Sequence, residues 1–169
     1  MNHIITNIRA LCRTWKPQWQ GMVMAELVYR RGESSGIPAV EVREGRVIRL
    51  TTRYDHSMEG LSIVLFPFKA SKPKAMTPWE GDDSISFSEE RVHQDSTLLG
   101  DHNEIHQGEN PVVSGFEILL EMEPYFSEKS IKIRFYAPAR AGDSIFLHQE
   151  KGKITGYTDH LCFICEEIL

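Results

Sequence analysis

Asp101 and His106 stand five positions apart in the polar run Gly100-Asp101-His102-Asn103-Glu104-Ile105-His106. In a loop, that spacing lets a carboxylate and an imidazole aim at one point. A carboxylate beside an imidazole orients the ring and holds it as an acid or base near neutral pH. Neither group needs a metal or a cofactor for this work. Nine residues further on, Gly115 follows Ser114, the expected N-cap of a helix. An N–H at a helix start has no intrahelical partner and carries the positive end of the dipole. Glycine there lets a ligand approach closely, and the amide can hold an oxyanion. An acid–base pair facing an oxyanion donor is the set that proton transfer next to a carbonyl requires.

Other chemistry-bearing residues carry weaker patterns. Cys162-Phe163-Ile164-Cys165 is a CxxC, but in a strand residues three apart face opposite sides. There is no second cysteine pair, so neither a zinc nor a redox site is expected. Three cysteines do not make a disulfide framework, and a reducing compartment such as the cytoplasm follows as the expectation. His148 and His160 are expected on strand surfaces, while His93 and His102 flank the polar run. Lys129, Lys132, Arg134, Arg140, Lys151 and Lys153 form the densest basic stretch.

The elements that must position these residues show in the patterning. The chain has 169 residues, 41 % hydrophobic and 25 % charged, a globular profile with room for one ordinary domain or two very small ones. No apolar run approaches the roughly 18 residues that cross a bilayer, so no membrane partner is expected. A net charge of -5 and a pI near 5.8 disfavour nucleic acid. Ile4, Ile8, Leu11 and Cys12 have helical spacing in a start whose first acid is Glu26. Such a start suits either an organelle transit peptide or a helix packed on a sheet; the helix is expected, because Trp15, Pro17 and Trp19 follow at once. Strands are expected at 23–29, 39–43, 46–50 and 61–66, then a Pro- and Gly-containing linker over 69–83. Beyond it come a short extended piece at 85–87, a helix capped by Ser88, the polar loop, and a mostly buried helix over 114–122. Three strands are expected after that, at 131–136, 144–149 and 161–168, with turns at Gly142-Asp143 and Lys151-Gly152. A sheet wrapped around one buried helix fits this order.

On two signatures the chain resembles the hotdog-fold MaoC-like family of (R)-specific enoyl-CoA hydratases and 3-hydroxyacyl-thioester dehydratases. The first is Gly100, Asp101, Asn103 and His106 before the helix entry Val112-Val113-Ser114-Gly115-Phe116; the second is Arg134 to Ile145, a strand, a Pro, then Gly142-Asp143 opening the next strand. The resemblance spans about residues 85–169. It implies an α+β hotdog fold over 83–169. It implies reversible hydration of trans-2-enoyl, or dehydration of (R)-3-hydroxyacyl, thioesters of CoA or acyl carrier protein, with no cofactor or metal. Asp101 and His106 would hold the water, Asn103 would brace the loop or the water, and Gly115 would polarise the carbonyl. Val113, Ser114 and Phe116 would contact substrate. Some of the basic residues would meet the carrier's phosphates.

Glu104 stands where the family has Pro, and Ser114 where a His often precedes the glycine. The interval from His106 to Gly115 is closer to that of acyl-carrier-protein dehydratases, which pair the His with a helix carboxylate. Glu117 and Glu121 are the alternatives for that role, and also for a thioesterase on the same fold. A non-catalytic acyl-binding protein is the remaining alternative. Residues 1–82 follow the order of a hotdog missing its first strand. They are expected to form a degenerate half that makes a pseudo-dimer within the chain or, if only an accessory region, to leave the protein a homodimer.

Overall fold

A computed structural model describes residues 3–68 and 72–169. Helix α1 (His3–Arg13) buries Ile4, Ile8, Leu11 and Cys12, so the acid-poor start forms a packed helix. After a 3-10 turn at Pro17–Trp19 come β1 (Met22–Arg30), β2 (Ala39–Glu44), β3 (Ile48–Arg53) and β4 (Gly60–Pro67). The rest of the chain holds β5 (Asp83–Ile85), α2 (Glu89–Leu99), α3 (Gly115–Met122), β6 (Ser130–Phe135), β7 (Ile145–Glu150), β8 (Lys153–Tyr157) and β9 (Leu161–Ile168).

The strands form one nine-stranded sheet in the order β2-β3-β4-β1-β6-β9-β8-β7-β5. Its described pairings are antiparallel, and β1 meets β6 through Glu26–Tyr29 against Ile131–Arg134. Outward from that seam, each run places the first strand after its helix, then the fourth, third and second. The second run has one strand more, β5, which precedes α2 in the chain and pairs with β7 at the outer edge. The protein is α+β, a sheet around buried helices in the hotdog manner. Phe116, Ile118, Leu119 and Met122 of α3 join Ile131, Ile133 and Phe163 of the sheet in one core. Each such side chain, taken fully out of water, contributes roughly 1.5–3 kcal/mol.

Four strands, not three, follow α3. The unexpected one is β8, which pairs with both β7 and β9. Its sequence, Lys-Ile-Thr-Gly-Tyr, holds a glycine that lowers strand propensity. That glycine is there for space: a Cβ on Gly156 would lie 2.2 Å from the Phe163 ring.

Two irregularities open the sheet beside the seam. On β1 the register shifts between Met24 and Glu26, leaving Ala25 as an extra residue. The β1–β6 ladder begins only at Glu26, so Phe135 has a partner on β9 and none on β1. On β9, Leu161 pairs with Tyr157 and Phe163 with Gly156, which leaves Cys162 as the extra residue. A bulge re-aims side chains, and Cys162 and Cys165 are consequently both buried in the core instead of on opposite faces.

The expected linker is a strap. Met76 N–H bonds to Asp159 O at 2.8 Å, Leu161 N–H to Lys74 O at 2.9 Å, and Trp79 N–H to the Tyr157 hydroxyl at 2.9 Å. Residues 69–71 of that stretch lie outside the described residues.

Candidate active site

Each half of the polar run is fixed by its own local structure. Helix α2 ends on Gly100 at φ 75°, a left-handed conformation that glycine adopts without strain. Asp101 N–H then bonds back to Ser96 O at 2.9 Å. A 3-10 turn at Glu104–His106 sets the imidazole, with His106 N–H bonded to Asn103 O at 3.1 Å. Val113 N–H bonds to Ala139 O at 2.9 Å and Ala141 N–H to Pro111 O at 3.0 Å, tying the entry of α3 to the loop after β6.

This scaffold brings Asp101 and His106 together. Asp101 Oδ2 lies 3.5 Å from His106 Nε2, and both residues are buried at 5 % exposure. His106 Nδ1 lies 2.7 Å from Val112 O. A carbonyl only accepts, so Nδ1 carries the proton in the neutral ring and Nε2 presents a lone pair toward Asp101. The Asp101 carboxylate is held from behind: the Ser114 hydroxyl donates to Oδ2 at 3.2 Å and Asn103 N–H to Oδ1 at 3.2 Å. With the ring neutral and Asp101 a carboxylate, Oδ2 and Nε2 are both acceptors, so a donor such as water is what satisfies them together.

The pair faces a cavity of about 440 Å³ at the seam between the two runs. Trp15, Met22–Ala25, Leu65 and Phe68 contribute from the first run. Val113, Gly115, Phe116, Ile118 and 135–140 contribute from the second, with Asp101, Asn103 and His106 on the same wall. Gly115 opens α3, so its N–H has no intrahelical partner. A Cβ on Gly115 would lie 2.7 Å from Met24 Sδ and 3.0 Å from Phe135 Cζ. Glycine is what lets Met24 and Phe135 pack this close to the start of α3.

Other expected site residues fall elsewhere. Ser114 is off the cavity wall: buried at 1 % exposure, it accepts Phe116 N–H and donates to Asp101, so it supports the carboxylate and does not line the pocket. Asn103 braces the loop, because its side chain bonds to the start of β1. Glu117 completes the α3 capping box by accepting Ser114 N–H at 3.0 Å and is absent from the cavity wall. Burial pushes its carboxyl up to about 8, with Asp95's charge adding to the effect and the Ser114 N–H opposing it. Glu121 pairs with Arg91. Neither helix carboxylate is among the residues that line the cavity.

The remaining chemistry-bearing residues are accounted for as follows. Lys132, Arg134 and Lys153 are paired with Glu26, Glu166 and Glu150, and Arg140 donates to Asn110 O. Three of the six residues of the basic stretch are thus ion-paired. His148 is half-buried, stacked on Trp79 and 3.1 Å from Asp82, rather than free on the sheet surface. His160 and Cys162 line the cavity, which strand alternation did not foretell. Burial, above all, pushes the Cys162 thiol up to about 11, so it is held as thiol. Among the described residues, no cluster of three His, Cys, Asp or Glu is arranged to hold a metal ion, and no helix is long and apolar enough to cross a membrane.

No family model and no curated protein matches the sequence. Solved structures do match it. Over 88 % of this chain and 76 % of the other, it is similar to HtdX from Mycobacterium tuberculosis, with TM-score 0.63 and 14 % identity. A MaoC-like dehydratase from Phytophthora capsici aligns with TM-score 0.56 and 14 % identity, covering 92 % of this chain and 74 % of that one. The full-length peroxisomal multifunctional enzyme type 2 from Drosophila melanogaster aligns over 98 % of this chain and 40 % of its own, with TM-score 0.51 and 13 % identity. Sheet order, the buried α3 and these likenesses define the chain as a hotdog-fold protein.

Proposed function

We propose that the protein is a hydratase or dehydratase of trans-2-enoyl and (R)-3-hydroxyacyl thioesters, carried by CoA or an acyl carrier protein. The observation that carries this reading is the meeting of Asp101 Oδ2 and His106 Nε2 on a cavity wall that also holds the first amide of α3.

In hydration, a water donates to both groups and is held over the double bond. Its oxygen bonds to C3, and the C2–C3 π electrons move onto the thioester oxygen, where the Gly115 N–H receives the developing charge. One water proton passes through the Asp101–His106 pair to C2 as the enolate collapses; the other stays on the new hydroxyl. Dehydration is the reverse.

Residues 1–82 are proposed to be a degenerate half that supplies the acyl-side wall and no acid–base pair. The β1–β6 seam then gives a pseudo-dimer within one chain, and light scattering should report a monomer of 19.4 kDa. A cytoplasmic location is the accompanying proposal.

Loss of the conjugated thioester absorbance tests the activity, with crotonyl-CoA, a longer enoyl-CoA and the matching carrier-protein thioesters. Turnover of any of them supports the reading. No turnover of any of them leaves the thioesterase and the non-catalytic acyl-binding protein as the remaining readings.

A further inference from the structure

Two side-chain amides, one from each run, grip each other's backbone beside the acid–base pair. Gln20 brackets Asn103: its Nε2 donates to His102 O at 3.2 Å and its Oε1 accepts Glu104 N–H at 2.8 Å. Asn103 answers in kind: its Oδ1 accepts Gly21 N–H at 3.0 Å and its Nδ2 donates to Met22 O at 2.8 Å. Every donor faces an acceptor, so neither amide can flip without setting N–H against N–H and oxygen against oxygen.

Residue 103 is the point that matters most in the loop. Its N–H holds Asp101 Oδ1 at 3.2 Å and its carbonyl holds His106 N–H at 3.1 Å. A shift of the two peptide units that flank this residue moves both members of the pair. The Glu104 amide opens the 3-10 turn and has no partner within it. Gln20 supplies that partner and, through His102 O, fixes the other side of residue 103. Gln20 itself is exposed and belongs to no part of the core.

We propose that Gln20 is a positioning residue for the reaction: it holds the peptide units on either side of Asn103 so that Asp101 and His106 grip the water in register. This rests on the hydratase reading above. Small displacements of reacting groups are costly; about 1 Å can cost roughly 10²-fold. A loosened loop that still samples the working geometry costs less. Replacing Gln20 with alanine should lower kcat about 10-fold and leave KM within about twofold, since the cavity wall is intact.

Glu104→Pro provides the discriminating background. Proline has no N–H to satisfy, suits the first position of a helical turn, and follows a residue that is already extended, Asn103 at φ -63° and ψ 125°. In E104P the further loss on adding Q20A should be no more than about threefold, because one of the two Gln20 bonds no longer exists to be broken. An equal loss in both backgrounds, or a rise in KM at unchanged kcat, overturns the proposal. Hydrogen exchange supplies a readout that does not depend on activity: the Glu104 amide should exchange at least about 10-fold faster in Q20A. Unchanged exchange overturns the clasp even if activity falls. If the native protein turns over no enoyl thioester, the hydratase reading fails, and exchange alone still decides whether Gln20 holds the loop.

Discussion

The two runs of the sheet wind in the same order around their helices, yet each spends a buried carboxylate differently. In the first run Glu59 is buried and saturated. It accepts from the Ser34 hydroxyl, from Asn7 Nδ2 at 3.2 Å and from the Tyr29 hydroxyl at 3.4 Å. Its side chain has no exposure, and it does not line the seam cavity. In the second run Asp101 is also buried and also held by two donors, but it keeps a lone-pair face toward His106 and the cavity. A saturated carboxylate is structural; one left a free face beside an imidazole has chemistry open to it. The free face comes from the long segment between α2 and α3, which carries Asp101 and His106 together.

Substitutions can break that contrast. Asp101→Asn and His106→Ala should each lower the hydration rate by roughly 10²-fold or more, the scale of general acid–base catalysis. Near-native turnover of either variant removes that residue from the mechanism. Glu59→Ala should do the opposite: turnover near native, but a loss of about 2 kcal/mol in urea unfolding, because buried donors lose their acceptor. If turnover falls with E59A while stability holds, the division of labour is wrong.

Gly115→Ala should be milder. The new Cβ meets Met24 Sδ at 2.7 Å, and about a 10-fold fall in kcat/KM is expected as the amide is crowded. Adding Met24→Ala should recover part of it, since that atom is the far end of a flexible chain; steady-state kinetics of the pair decide. The last effect falls on stability alone, as a pH dependence at Glu117. Its carboxyl sits at about 8 in the fold against 4.5 ordinarily, so the folded state keeps a proton that the unfolded chain releases between those values. Stability therefore falls as pH rises through that window. Glu117→Gln has no such proton, and its melting temperature relative to the native protein should rise steadily from pH 5 to pH 8. A pH-independent difference would contradict this.

What was legible in the sequence was what is local. Ser114 and Glu117 announce the start of α3 because a capping box is written within four residues. Asp101 and His106 stand out because one polar loop carries both. The misses are non-local. β8 hides because its glycine makes room for Phe163 on the neighbouring strand. The bulges at Ala25 and Cys162 are properties of pairing, so periodicity along one strand cannot show them. Gln20 and Asn103 meet across more than eighty residues with no pattern joining them. The bond from the Ser114 hydroxyl to Asp101, thirteen positions away, is hidden for the same reason.

The most direct test of the central claim follows the proton at C2. Incubation of an (R)-3-hydroxyacyl-CoA in deuterated water, read by NMR, reports each passage through the enoyl thioester as deuterium entering C2. The native protein should place deuterium at C2 and the D101N and H106A variants should leave that position protonated over the same time. Exchange at native rate in both variants would show that the proton at C2 does not pass through this pair.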